Sequence, residues 1–195
     1  MNENDLRVIK TRENIESAFL NLLDEKDFTH ITVTEILGRC RIAKGTFYYH
    51  YRDKYDLAEQ IINKHFSSFD QLFEASRKNF PKKGASLESM AGFATNIAKS
   101  YAPLSSIRTP ELDARDKLHE FLRNLFLEFV QKQEQLREIS NPSQVATFLA
   151  AIVAAQIDMV ISGDSQTGSQ FIESLHDLIA CISLFQSMEF ADPDC

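Results

Sequence analysis

Apolar positions recur at helical spacing along most of the chain, and their breaks divide it into elements. From Asp5 to Leu23, Ile15, Ala18, Phe19, Leu22 and Leu23 fall on one stripe, which predicts an amphipathic helix; Asp24 to His30 then connects it onward. Thr32 and Glu35 have the S/T-x-x-E spacing of a capping box, so a short helix starts there, with Ile36 and Leu37 on its apolar face. After Cys40-Arg41-Ile42 a second short helix begins near Ala43. On its wheel Phe47 and Tyr51 share the stripe facing the protein, Gly45 and Tyr49 lie opposite, and Thr46 and Tyr48 occupy the shoulders. Two short helices joined by a turn make a helix-turn-helix.

The elements that follow are longer. A helix over about Tyr55 to Lys78 buries Leu57, Ile61, Ile62, His65, Phe66, Phe69, Leu72 and Phe73, and the polar run to Ser86, with Pro81 and Gly84, ends it. A helix from about Ser86 to Tyr101 carries Met90, Phe93, Ala94 and Ile97. The stretch Ala102 to Pro110 is a break with room for one short turn, and Glu111 to Ile139 reads as one long helix clustering Leu118, Phe121, Leu122, Leu125, Phe126 and Phe129. Two final helices, about Pro142 to Ser162 and Gly168 to Glu189, are joined by Gly163 to Thr167 as an antiparallel hairpin. The expected fold is all-α: an N-terminal three-helix helix-turn-helix domain over 1–53, extending into the start of the 54–78 helix, and a C-terminal helical domain over 54–195.

The Pro142 to Ser162 helix has almost no polar face, so it must be covered all round. In so small a chain the natural cover is a second copy, the two hairpins closing a four-helix interface about a twofold axis. The residues expected there are Phe148, Ala151, Ile152, Ala155 and Met159 from the first helix and Phe171, Leu175, Leu178, Ile182 and Phe185 from the second.

Composition narrows the class. The 195 residues are 44% apolar and 25% charged, an ordinary globular balance, and neither a transmembrane span nor an apolar signal region is read from the sequence, which points to the cytoplasm. Three cysteines, Cys40, Cys181 and Cys195, are distant and odd in number, and read as reduced thiols. The histidines have no partner ligand at i,i+4, so neither metal nor cofactor is expected. No hydrolase elbow, phosphate loop or H-E-x-x-H appears, which argues against an enzyme. Net charge is −7, yet Leu37 to Lys54 holds five basic residues, Arg39, Arg41, Lys44, Arg52 and Lys54, against the single acid Asp53. Local charge therefore favours a polyanion at the second short helix.

Its outward face suits duplex DNA. Lys44 supplies charge, Gly45 lets backbone approach a phosphate, and Thr46 can bond a base edge or touch a thymine methyl. Tyr48, Tyr49 and His50 can donate to phosphate oxygens, and Lys54 opens the next helix, whose N-terminus offers another phosphate site. Arg7, Lys10 and Arg12 make the start of the first helix basic as well.

The runs ITVTEIL, AKGTFYYHY and RDKYDLAEQI, within Arg7 to Phe66, resemble the N-terminal domain of the tetracycline-repressor (TetR/AcrR) family. That resemblance implies a bacterial, cytoplasmic, all-helical homodimer whose third helix reads the major groove and whose larger C-terminal domain dimerises and often binds an inducer. The expected DNA contacts are Thr32, Thr34, Arg41, Lys44, Gly45, Thr46, Tyr48, Tyr49, His50 and Lys54. Two positions depart from the family pattern. Arg41 stands where the turn usually has Gly, so it must take a left-handed backbone or a modified turn, and Ala43 replaces a small hydroxyl residue and loses a side-chain cap. Arg41 can compensate as an extra phosphate contact.

For an effector, the candidates are His65, Phe69, Phe73, Phe93, Ile97, Tyr101, Phe121, Leu122, Phe126, Phe129 and Gln156, which either line an apolar cavity or simply fill the core. Asp158, an acid among apolar neighbours, needs a partner across the dimer, a local group to cap, or a cationic ligand. The reading is a sequence-specific DNA-binding regulator, a repressor released from a palindromic operator by a small apolar or cationic effector. The alternative is a DNA-binding regulator controlled by a protein partner.

Overall fold

The computed structural model describes residues 6–77, 87–164, 170, 173, 174, 176–178, 180 and 181. Its elements are α1 (Leu6–Glu25), a 3-10 turn (Phe28–His30), α2 (Val33–Cys40), α3 (Lys44–His50), α4 (Lys54–Arg77), α5 (Leu87–Tyr101), a 3-10 turn (Ala102–Ser106), α6 (Ala114–Lys132), a 3-10 turn (Glu134–Leu136) and α7 (Pro142–Ser162). The described residues from 170 to 181 are helical as well. The all-α expectation holds.

The head forms around α1. Its buried stripe, Ile15, Ala18, Phe19 and Leu22, meets Ile36 and Cys40 of α2, Phe47 of α3, and Leu57, Ala58 and Ile61 of α4. Phe28 stands edge-on between Phe19 and Tyr55, with ring centroids 6.1 and 5.2 Å away. The same core continues along α4 through Phe66 and Phe69 to Ile97 and Tyr101 of α5, Leu118 and Leu122 of α6, and Val153 and Ile157 of α7. Head and body therefore share one interior, and α4 runs through both.

The long helix expected over Glu111 to Ile139 is shorter at both ends. Asp113 caps α6, its carboxylate accepting from the backbone N–H of Arg115 (2.7 Å) and Asp116 (3.2 Å), while Ala114 N–H reaches back to Ile107 O at 2.9 Å. At the other end Gln133 is extended (φ −88°, ψ 118°). Between Val130 and Asn141 only Leu136 and Ile139 are large and apolar, both half-buried, so no buried stripe carries the helix on.

α7 begins and ends where the sequence places it. Asn141 accepts from Gln144 N–H at 3.1 Å, Pro142 takes the first turn, and Gly163, in the left-handed region (φ 79°), closes the helix. Its covered face, Ala146, Ala150, Val153, Ala154, Gln156 and Ile157, packs on α5 and α6. The opposite face is open: Phe148 is 59% and Met159 49% exposed, with Ala151 and Ala155 exposed between them. Within one chain, burial on all sides is not achieved. By length and composition Pro142–Ser162 is also apolar enough to cross a membrane, a correction to the sequence reading, although the face set against α5 and α6 is that of a core helix. Of the second interface helix Leu178 is exposed, whereas Phe171, Leu175, Ile182 and Phe185, like the loop over 78–86, lie outside the described residues.

Candidate nucleic-acid interface

The turn between α2 and α3 is fixed by several independent contacts. Thr32 and Glu35 form the expected capping box: Glu35 N–H donates to Thr32 Oγ1 at 3.3 Å, and Thr32 N–H to Glu35 Oε2 at 2.9 Å. The Lys26 ammonium, and then the Thr32 N–H and hydroxyl, hold the Glu35 carboxyl well below the usual carboxylate range, at about 2. At the other end of α2, Asn14 of α1 donates to Cys40 O at 2.9 Å, a tertiary cap with no local sequence signal. Arg41 takes the left-handed backbone (φ 54°, ψ 45°), and its N–H reaches Leu37 O. For a non-glycine residue that conformation costs about 1 kcal/mol.

α3 is then presented with one face in and one face out. Phe47 is fully buried and Tyr51, at the C-cap, 2% exposed. Outward, Tyr48 is 49% and Tyr49 60% exposed, Lys44 and Gly45 are exposed, and Thr46 and His50 are half-buried. Ala43 makes no side-chain cap; its carbonyl instead accepts from Thr46 N–H at 2.9 Å. Burial, and then the charge of Arg12, push the His50 imidazole below its ordinary pKa. A groove of about 330 Å³ runs between the first turns of α1 and the outer face of α3, lined by Arg7, Val8, Thr11, Gly45, Thr46, Tyr49 and His50.

Three of the five cations that made this region look basic are already engaged. Arg39 forks onto Glu25 of α1 at 2.7 and 2.8 Å, and Arg52 pairs with Asp56 at 3.3 Å. Lys54, expected to face DNA, instead turns inward. Its Nζ donates to Phe28 O (2.9 Å), Thr29 O (3.1 Å) and Ile31 O (2.9 Å) and lies 4.7 Å from the Phe28 ring centroid. It caps the 3-10 turn, where three backbone carbonyls converge. The α4 amides are also taken, Asp53 Oδ1 accepting from Tyr55 N–H (2.8 Å) and Asp56 N–H (2.9 Å). Arg41 and Lys44 are left as the outward charges without a carboxylate partner among the described residues. Lys54→Met should lower stability by about 1.5–3 kcal/mol, the range for hydrogen bonds to a charged group, seen as a lower urea midpoint. Thr32 is likewise occupied as a cap, while Thr34 is exposed.

Among the described residues, the aromatic members of the expected effector set pack against one another. Phe73 packs against Phe93, Phe126 and Phe129 at 5.3, 6.3 and 6.1 Å, and Phe69 meets Phe93 at 6.5 Å. Phe121 stacks on Phe66 at 4.7 Å. Ile97, Tyr101 and Leu122 are fully buried, and His65 is half-buried with its pKa lowered, first by burial and then by Lys64. The rings fill the interior with one another. A groove of about 580 Å³ lies instead between α4 and α6; its walls include Asn63, Asp70, Glu120 and Asn124, and of the expected set only Phe121 borders it. Gln156 lines a second groove of about 490 Å³, beside the open face of α7 with Ile152, Ala155, Met159 and Leu178. Asp158 has its partner within the chain, Arg115 Nη2 at 2.6 Å.

Residues 16–61 match the family described as bacterial regulatory proteins, tetR family. The HTH-type transcriptional regulator YxbF of Bacillus subtilis (strain 168) is 39% identical over 77 residues, 38% of this chain and 20% of that protein. The A-factor receptor protein of Streptomyces griseus is 25% identical over 84 residues, 43% of this chain and 27% of that protein. The chain thus spans only about a quarter of these relatives' length. Over nearly the whole chain the fold is similar to that of a solved protein of Syntrophomonas wolfei str. Goettingen, described as a TetR-family transcriptional regulator, at a TM-score of 0.63 and 17% identity, covering 94% of this chain and 98% of that one. The match to the tetR family of bacterial regulatory proteins covers residues 16–61, from within α1 to within α4, the part of the chain that holds the helix-turn-helix.

Proposed function

We propose that this chain is a sequence-selective DNA-binding regulator of transcription that works as a homodimer in the cytoplasm, α3 entering the major groove. One observation carries the reading: a seven-residue helix held by one buried ring turns Lys44, Gly45, Tyr48 and Tyr49 to solvent with no carboxylate on that face. The proposed contacts are Thr34, Arg41, Lys44, Gly45, Thr46, Tyr48, Tyr49 and His50. Lys44 and Arg41 meet phosphates, and the hydroxyl and ring edges meet sugar and bases. The open face of α7 joins two copies and sets their recognition helices one DNA turn, or a multiple of it, apart.

Tyr49→Ala tests this directly. Duplexes are first selected from random DNA with the unmodified protein, and the variant is then titrated by fluorescence anisotropy. A fall of about tenfold in affinity for the selected duplex is expected, at the lower end of 1–3 kcal/mol for a base or sugar contact, with an unchanged melting temperature because the ring is 60% exposed. Selection that enriches no sequence would sink the reading.

Repression relieved by a small molecule is the finer part of the proposal. The α4–α6 groove is the place that supports it, since α4 lines the groove with Asn63, Phe66 and Asp70 while its first turns bury Leu57 and Ala58 in the head. An occupant that spreads α4 from α6 tilts the head. With Asp70 and Glu120 on its walls the groove suits a cationic effector better than an apolar one. Whatever binds must prefer the released arrangement, by about 1.4 kcal/mol for each tenfold loss of operator affinity. Control by a protein partner is the second reading, favoured by the packing of the Phe73 cluster.

A further inference from the structure

The last 58 residues, Glu138 to Cys195, contain eight Asp and Glu, one His and no Lys or Arg, which is more than the whole net charge of −7. Three of these acids stand beside the open face of α7. The groove of about 490 Å³ between α7 and the helical residues that follow Gly163 is lined by Ala155, Met159 and Leu178 together with Asp164, Glu173 and Asp177. Glu173 and Asp177 are exposed, one helical turn apart, and have no cation partner among the described residues. Like charges at that spacing repel. Asp164 accepts from the hydroxyl of Ser162 at 2.8 Å, whereas Asp158 is tied to Arg115 and adds no free charge.

Ala155 and Met159 belong both to this groove and to the open face, so a second copy that covers them also comes against the three carboxylates. A twofold axis repeats each of them and sets six carboxylates about the seam, and the last 58 residues of neither copy hold a Lys or Arg to answer them. We propose that dimerisation is governed by ionic strength: the apolar seam drives it, the carboxylates oppose it, and dissolved salt relieves the opposition. Exposed charges act over the Debye length, about 30 Å at 0.01 M salt and 3 Å at 1 M, so the repulsion is large in dilute salt and small in concentrated salt. DNA binding responds to salt in the opposite sense. Below the dimer Kd, operator binding includes dimer formation, and its salt slope is then shallower than that of preformed dimers. The inference rests on the dimer reading above and adds what regulates it.

Sedimentation velocity on the full chain gives the dimer Kd from about 0.05 to about 0.3 M NaCl, for the unmodified protein and for the double variant Glu173→Gln/Asp177→Asn. The unmodified Kd should fall about tenfold over that range. The variant removes four of the six charges, all at exposed positions. It should dimerise about tenfold more tightly at the low end and change by less than about threefold with salt, which separates charge from general salting-out of the apolar seam. A Kd that is constant or rises with salt overturns the inference and leaves the dimer reading intact, as does a variant no tighter than the unmodified chain. A chain that is monomeric at every salt concentration overturns the dimer reading, and this inference with it. MgCl2 at equal ionic strength should act as NaCl does; a far stronger effect would mark a cation bound between the carboxylates and overturn screening as the cause.

Discussion

A chain carrying Phe148→Glu is expected to sediment as a monomer at concentrations where the unmodified chain is a dimer, and to bind its selected duplex at least a hundredfold more weakly. Phe148 is 59% exposed on the open face of α7, in line with Ala151, Ala155 and Met159, and away from Ala146, Ala150, Val153 and Ile157, which pack on α5 and α6. Burying such a ring in a partner contributes about 1.5–3 kcal/mol per copy. A carboxylate in its place loses that and puts an unpaired charge in an apolar seam twice over, because a twofold interface repeats every change. The hundredfold loss corresponds to about 2.7 kcal/mol, the advantage of presenting two recognition helices on one rigid body. The side chain is 59% exposed and outside the buried core, so the circular dichroism and melting temperature of the variant should match those of the unmodified chain diluted until it too dissociates. If the unmodified chain is itself a monomer at micromolar concentration, or partitions into lipid vesicles through α7, the dimer reading fails.

What the sequence made legible is what local chemistry decides. The Thr32–Glu35 box, the left-handed turn forced on Arg41, the inward stripe of Phe47 and Tyr51, and the Asn141-Pro142 start and Gly163 stop of α7 each depend on residues within about one helical turn. The fate of the charges depends on partners far along the chain. Arg39 finds Glu25 14 residues away, Lys54 reaches carbonyls 23 to 26 residues back, and Arg115 meets Asp158 across 43. A count of basic residues between Leu37 and Lys54 therefore overstated the charge available to DNA. The aromatic body misled in the same way, since periodicity places Phe69, Phe73, Phe93, Phe126 and Phe129 inside but cannot say whether they enclose a space or fill it. The end of α6 was misjudged because no Pro or Gly marks it; the helix stops where its buried stripe runs out.

Phe47→Ala should remove DNA binding without altering any residue on the outer face of α3. Its ring is the one buried side chain among the seven residues of that helix, fully enclosed, with Tyr48 and Tyr51 at 5.5 and 5.6 Å. A helix this short has no stability of its own in water, so its position depends on the ring and on Tyr51 at the C-cap. Truncating a buried phenylalanine costs about 3–5 kcal/mol, a large share of the stability of a domain of this size. The loss should appear as a lower urea midpoint and as amide hydrogens from Lys44 to His50 that exchange at unprotected rates. Phe47→Leu keeps most of the volume and should recover protection and binding together, within about 1.5 kcal/mol. The comparison with Tyr49→Ala separates two causes of weak binding: loss of an outer contact leaves the α3 amides protected, whereas loss of the anchor does not. Protected α3 amides in Phe47→Ala would mean that something other than this ring holds the recognition helix in place.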